Sequence, residues 1–394
     1  MKAKAYILSL ILASTSFTAW SQTFYDVVDS IAASNPTLKA AKASADAEVS
    51  RVKAENMLED PEVEFSRKWR SGEGENRWGA GIKQGFDWFG AYGARKNLAA
   101  SMTAANDLKL AGELNKLHTD IGKSLIEVIA ADKKIEILEG IAKGMKELEN
   151  KYSIAWDHGE ATILDLNKIK IEAIRATSQL QDARNERQAL LADLQGIAGN
   201  PTLSVNVPVD FPITQLKTLA EYDALIADAP EVKAAESGFA VAEQELKVAK
   251  MNRLPGFSIG YDHDFEDGAH FNGFSLGVTI PVYSRKHSME AVAADNLAAR
   301  FEAISVQSQL ESKVKSLHAN AAALQEMMRQ YSPLVEGVNN LTLLKKALDG
   351  GQINLLEYLQ EVNYFLTARL DLLELTKSYH LALQELNALN YRAL

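Results

Sequence analysis

Asn35-Pro36-Thr37-Leu38-Lys39-Ala40-Ala41 returns as Ala229-Pro230-Glu231-Val232-Lys233-Ala234-Ala235, 194 residues further on when counted from Pro36 to Pro230. The register holds without a gap as far as Met57…Pro61 and Met251…Pro255. Further along, Gly81-Ile82 matches Gly277-Val278, and Gly159-x-x-x-Ile163-Leu164-Asp165 matches Gly351-x-x-x-Leu355-Leu356-Glu357. A repeat of this length has the size of a domain, not of a solenoid unit. Two halves of one design in one chain suggest pseudo-symmetry, and pseudo-symmetry suggests a ring.

Each half carries two segments in which apolar residues recur at every second position. After Pro61, Val63, Phe65 and Trp69 share one side against Glu62, Glu64, Ser66, Lys68 and Arg70, with Arg67 breaking the apolar set. Beyond a loop around Gly72–Asn76, Trp78, Ala80, Ile82 and Phe86 alternate with Gly79, Gly81, Lys83 and Gly85. In the second half Phe257, Ile259, Tyr261 and Phe265 alternate with Ser258, Gly260, Asp262 and Asp264. Phe274, Leu276, Val278, Ile280 and Val282 then alternate with Ser275, Gly277 and Thr279. This period predicts strands with one apolar and one polar face. The polar face is rich in glycine and charge, which fits a wet lumen, while the aromatic and aliphatic face suits lipid. Two ordinary hairpins on a soluble core are the plain alternative. Four strands are too few to close a barrel, and an open edge cannot sit in hydrocarbon. Membrane strands would therefore be pooled between chains, twelve from three or eight from two.

Elsewhere the period is helical. Trp88–Trp156 and Ser284–Asp349 would each reach roughly 100 Å if helical throughout. They end at the turn signals Asp157-His158-Gly159 and Asp349-Gly350-Gly351. A returning helix follows each turn. Leu166, Ile169, Ala173, Ala176, Leu180, Ala183, Arg187, Leu190 and Leu194 step by three and four in the first. Leu355, Tyr358, Val362, Phe365, Arg369, Leu372, Thr376, Tyr379, Leu383 and Leu386 do so in the last. Such seams predict antiparallel coiled-coil pairs.

The organisation read from these signals starts with residues 1–21 as an export signal: a basic Lys2 and Lys4, an apolar Ala5–Ala13 and a small-x-small site at Ala19-x-Ser21. Residues 22–198 form the first repeat, with a hairpin at 61–87 and a tip near 156–160. Residues 199–218, bearing Pro201, Pro208 and Pro212, form a connector. Residues 219–394 form the second repeat, with a hairpin at 256–283 and a tip near 348–352. The chain has no cysteine, so it offers no lipid-anchor thiol, disulfide or thiolate metal site. A formal charge of −10 and the lack of any basic stripe argue against nucleic acid.

Taken in order and twice over, these residues resemble the TolC-like outer membrane factors, the exit ducts of bacterial efflux and type I secretion systems. The resemblance is carried by Asn35-Pro36 and its Ala-rich helix, Leu58-Glu59-Asp60-Pro61, Gly85-Phe86-Asp87-Trp88-Phe89-Gly90, Gly277-Val278-Thr279-Ile280-Pro281-Val282-Tyr283 and the two Gly-x-x-x-apolar-apolar-acid turns. It covers nearly all of the mature chain. It implies a mainly α fold with a small β part: coiled-coil helices in an α-barrel, plus four strands per chain in a trimeric twelve-stranded barrel. It also implies outer membrane lipid as surroundings, and a periplasmic adaptor and an inner-membrane pump, of RND type, as partners at the helical tips, Gly159 and Gly351. The family's acidic pair past the second turn falls on Glu357 and Gln360, so the first acid is kept and the second is neutral. The acid past the first turn falls on Asp165. The family's latching tyrosine and arginine fall on Leu348 and Ile353, which cannot form ion pairs. For Glu357 and Asp165 a solvated helix face is the plain alternative to a lumenal gate.

The compact length and missing lipid-anchor cysteine look like the heavy-metal efflux branch. A passive exit duct for small molecules or metal ions is the leading expectation; a type I protein-secretion duct and an exported coiled-coil scaffold or adhesion protein are the alternatives. No enzyme and no cofactor are expected. Gly256-Phe257-Ser258-Ile259-Gly260 and Gly273-Phe274-Ser275-Leu276-Gly277 match a nucleophile-elbow pattern, but both serines lie inside alternating strands, where no sharp strand-to-helix turn exposes them. Gly79-Ala80-Gly81 misses the dinucleotide spacing. Residues 262–270, with His263 and His270, have metal-binding residue types and read primarily as a polar loop at the second hairpin tip.

Overall fold

A computed structural model of the chain describes residues 24–69, 77–266, 268–281, 286–335 and 340–390. The expected export signal, the loop around Gly72–Asn76, and Val282 and Tyr283 lie outside the described residues. In chain order the elements are α1 (Phe24–Ser34), α2 (Pro36–Glu55), β1 (Glu62–Lys68), β2 (Arg77–Phe86), α3 (Phe89–Asp157) and α4 (Ile163–Ala198). There follow α5 (Leu219–Ile226), α6 (Pro230–Met251), β3 (Gly256–Glu266), β4 (Ala269–Thr279), α7 (Lys286–Val335), α8 (Asn340–Asp349) and α9 (Leu355–Asn387). The repeated Asn/Ala-Pro signal opens α2 and α6, because proline at the first helical position loses no hydrogen bond there. Asn35 adds a cap, its Oδ1 accepting from the backbone N–H groups of Thr37 at 2.7 Å and Leu38 at 3.2 Å. Ala229 has no such side chain.

The chain divides into two compact units, each drawing on both halves of the sequence. The first comprises Met1–Ser34, Asp120–Thr214 and Met327–His380. Its core is a cluster of Leu138, Ile141, Met145 and Leu148 from α3, Ile169, Ala173, Ala176 and Ala183 from α4, and Leu355, Tyr358, Val362 and Leu366 from α9. Along α3 and α4 the ion pairs run in opposite chain directions, Asp132 with Arg187, Lys134 with Glu186 and Glu139 with Arg184, as an antiparallel pair requires. Arg187, the polar exception in the first seam, is explained by this pairing: its Nε and Nη2 both donate to Asp132. In the last seam Leu366, not the expected Phe365, is the buried residue. The other apolar seam positions, Leu355, Tyr358, Val362, Leu372, Tyr379, Leu383 and Leu386, are buried as expected.

The second long stretch is helical over α7, which carries Pro333 within it, and again over α8; residues 336–339 lie outside the described residues.

The other unit, Asn35–Thr119 with Gln215–Glu326 and Leu381–Leu394, contains the sheet. Its helical part buries Tyr222, Val232, Val314 and Leu386, and Asn115 Nδ2 donates to the Ala388 carbonyl at 2.9 Å.

His380, in the first unit, stacks on Phe211 from the connector, with ring centroids 4.8 Å apart and planes 7° from parallel. Burial lowers its pKa to about 4. The folded state therefore prefers the neutral ring, and this contribution is complete above the unfolded value near 6.5 and is lost as pH falls towards 4. Between pH 7 and pH 4 the wild type should lose about 2 kcal/mol from this group, allowing for the ring's partial exposure. His380→Phe keeps the stack and should remove that component; denaturant midpoints of both proteins at the two pH values give the difference.

Candidate functional site

The four strands form one antiparallel sheet in the order β1-β2-β3-β4, so the two hairpins join through β2 and β3. Ile82 lies opposite Val63 and Tyr261, and Tyr261 opposite Phe274; Phe86 pairs with Phe257, which pairs with Val278. The strands thus turn their apolar positions to the same face, except for Phe271, which lies opposite Asp264 on the other. That face is open: Phe65, Phe274 and Leu276 are each more than 80% exposed. A contiguous apolar patch of this kind marks a surface made for lipid or another protein. From Phe257 to Phe265 the strand rises roughly 26 Å, about the height of the apolar band of a membrane barrel, ~25 Å. Among the described residues, β1 and β4 each have one unpaired edge.

The opposite face is polar and close-packed. Arg77 pairs with Asp264 and lies 3.7 Å from Glu266. Gly79 and Gly81 lie beneath the carboxylates of Asp264 and Asp262, where an added Cβ would collide with the carboxylate oxygens. Where β2 gives way to α3, the Asp87 N–H donates to the Tyr92 hydroxyl at 3.0 Å, and Arg95 holds both Asp87, at 2.5 Å, and Asn252, at 3.2 Å. Trp88 and Phe89 pack near Phe257, with centroids 5.8 and 6.3 Å away.

Residues 262–270 are a correction. Expected as a polar loop, they continue β3 to Glu266 and begin β4 at Ala269, with Gly268 at φ 80° just before it. Such an angle favours glycine because the left-handed region costs it nothing. His263 and His270 lie on the apolar face, with Nε2 and Nδ1 3.3 Å apart. Among the described residues no group of three metal-type ligands gathers there or elsewhere.

At the helical tips the two halves repeat the same geometry. Gly159 has φ 77° and Gly351 φ 68°, and their N–H groups donate to the carbonyls of Trp156 at 2.9 Å and Leu348 at 3.1 Å. The next N–H groups, of Glu160 and Gln352, reach back to Ala155 at 2.7 Å and Ala347 at 2.9 Å. These are paired Schellman closures. The two acids proposed for a gate then sit at equivalent helix starts. Asp165 N–H donates to Thr162 Oγ1 at 3.1 Å, and that hydroxyl donates back to Asp165 at 2.7 Å. Glu357 N–H donates to Asn354 Oδ1 at 3.0 Å, while the Asn354 N–H donates to the Glu357 carboxylate at 2.9 Å, a reciprocal capping box.

Glu357 and Gln360 are exposed, and Asp165 is half-buried. Leu348 and Ile353 pack on the core of their unit. Sequence reasoning missed two ties between α3 and α8, Lys151 with Asp349 at 2.5 Å and Glu147 with Lys345 at 3.0 Å. Lys345 holds the Glu147 carboxyl below its usual pKa by hydrogen bond and charge. Burial, together with Asp165, raises the Tyr152 phenol.

No protein-family profile and no curated protein sequence matches the chain. Solved structures do. The outer membrane protein VceC of Vibrio cholerae aligns with a TM-score of 0.75 at 14% identity, covering 93% of this chain and 95% of its own. The open state of the MtrE outer membrane channel of Neisseria gonorrhoeae gives 0.75 at 16% identity, with 93% and 89% covered. CusC, solved to follow folding and transmembrane channel formation, gives 0.71 at 14% identity, with 93% and 92% covered. The fold is that of outer membrane channels. It is the mainly α fold with a small β part expected from the sequence.

Asn354→Ala should cost about 1 kcal/mol by removing the cap. Glu357→Gln should cost less, since its amide oxygen still accepts the Asn354 N–H. Gly351→Val, forced into a left-handed backbone, should cost about 1–2 kcal/mol. Thermal unfolding of the three variants tests this order.

Proposed function

We propose that the chain is one protomer of a passive exit duct in a bacterial outer membrane, serving an efflux system. The observation that carries this reading is the sheet: four strands in one register, an exposed apolar face, a polar glycine-rich face and two open edges. An open edge in hydrocarbon leaves backbone groups unsatisfied. Three chains pooling their strands into twelve remove every edge and turn the polar faces inward. No described helix is long and apolar enough to cross a membrane. The resemblance to solved outer membrane channels supports the same reading.

Transport through such a duct needs no chemistry of its own. Cargo, small molecules or metal ions, is driven by an inner-membrane pump of RND type, and a periplasmic adaptor engages the tips around Gly159 and Gly351. Asp165, Glu357 and Gln360 lie just past these turns, at the narrow end of the path. Threefold symmetry would set three Glu357 carboxylates in a ring that attracts cations. Gln360 adds no charge to it. The ties Lys151–Asp349 and Glu147–Lys345 brace α3 against α8 within each chain, in place of the latch that Leu348 and Ile353 cannot supply.

Purified from membranes, the protein should run as a heat-modifiable trimer and conduct ions in planar bilayers; recovery as a soluble monomer would overturn the duct. Leu276→Arg should cost about 2–4 kcal/mol at mid-bilayer and lower trimer yield, while Thr279→Arg on the polar face should leave yield near wild type. Glu357→Gln should lower cation-over-anion permeability and weaken block by trivalent cations added on the periplasmic side; unchanged selectivity would confine Glu357 to its capping role.

A further inference from the structure

The register sorts every strand side chain by face and by level, and charge follows the sorting. All acids of the four strands, Glu62, Glu64, Asp262, Asp264 and Glu266, fall on the polar face. The apolar face has none. Its two levels nearest the β3–β4 turn change character: Arg67, Trp78, Phe265 and His270 lie on one, Phe65, Ala80, His263 and Asn272 on the next. Below them the face is apolar except for Tyr261 and Gln84.

These polar groups are built in. The exposed Arg67 guanidinium lies 4.7 Å from the centroid of Trp78 and 5.9 Å from that of Trp69. The two indoles flank the guanidinium, and the side chain stays exposed. On the other hairpin, Asn272 Oδ1 accepts from the Tyr261 hydroxyl and lies against His263 Nδ1, both at 2.8 Å, and His263 stacks on His270. A guanidinium fork matches the geometry of a phosphate, and no carboxylate on this face competes for it.

We propose that this end of the apolar face is a binding belt for phosphorylated lipid headgroups of the outer leaflet, with Arg67 as the principal anchor and the His263–His270 pair as a second contact. The proposal rests on the lipid-facing assignment made above. Acyl chains would lie against Val63, Ile82, Phe274 and Leu276, and the phosphates would reach the polar levels above them. Aromatic rings alone would suit any headgroup; the acid-free cationic levels select a phosphate.

The test uses the full-length protein purified in detergent and native mass spectrometry, with bisphosphorylated lipid A, its monophosphoryl form and phosphatidylethanolamine as probes. Wild type should retain the bisphosphorylated lipid at least several-fold more than the other two. Arg67→Gln should lose most of that preference and Arg67→Lys should keep part of it, while His263→Gln/His270→Gln should weaken it; all should still give the heat-modifiable oligomer. Equal retention of the three lipids by wild type overturns the belt, as does an Arg67→Gln variant that keeps the full preference. Release of the bound lipid by millimolar inorganic phosphate would mark a free-anion site and also overturn it. Wild type recovered only from the soluble fraction would instead overturn the lipid-facing assignment, and the belt with it.

Discussion

The pairing of β2 with β3 brings together strands from opposite halves of the duplication, and nine consecutive residue pairs from Trp78–Phe265 to Phe86–Phe257 fix its register. A slip of one residue would turn one hairpin's apolar set to the polar face. Because the register is right, Phe65, Ile82, Tyr261 and Leu276 meet on one side, and Arg77 can reach Asp264 on the other. The exposed apolar face, the sorting of charge and the need for partner edges all depend on this ladder. It also joins the two halves of the sequence in a single sheet, so neither repeat is a separate structural unit.

At the helical tips the governing constraint is local rather than long-range. A helix that reverses direction in a few residues leaves carbonyls at its end and N–H groups at the next start. Gly159 and Gly351 close the first set, and Thr162 with Asp165 or Asn354 with Glu357 close the second. The same acids that could define an ionic gate are therefore already committed, in part, to holding the turn. On the duct reading proposed above, a change at either acid would alter the shape of the tip together with its charge.

Much of this was legible in the sequence, for identifiable reasons. Alternation at Phe257, Ile259 and Tyr261 or Leu276 and Val278 reports a two-sided sheet directly, because successive strand residues point to opposite faces. The heptad steps from Leu166 to Leu194 likewise gave the buried face of α4. What stayed hidden was set by contacts distant in sequence. Nothing local to Trp78–Phe86 or Gly256–Phe265 says that they pair, and nothing local to α9 says that Leu366 rather than Phe365 joins the core. Other misses were in plain view. Asp267-Gly268 between alternating residues is a strong hairpin signal, overshadowed by the metal-type residues around it. Thr162-x-x-Asp165 and Asn354-x-x-Glu357 read as capping patterns, overshadowed by the comparison with gate residues.

The short connection between β3 and β4 has a consequence for the order in which the sheet can assemble. With β3 ending at Glu266 and β4 starting at Ala269, the first cross-strand pairs, Glu266–Ala269 and Phe265–His270, are only three and five residues apart in sequence, so closing them costs little chain entropy. The β2–β3 ladder instead joins residues far apart in the chain, such as Trp78 and Phe265, and must close a much longer loop. The β3–β4 hairpin is therefore the part of the sheet best placed to form early, with the first hairpin added across β2 afterwards.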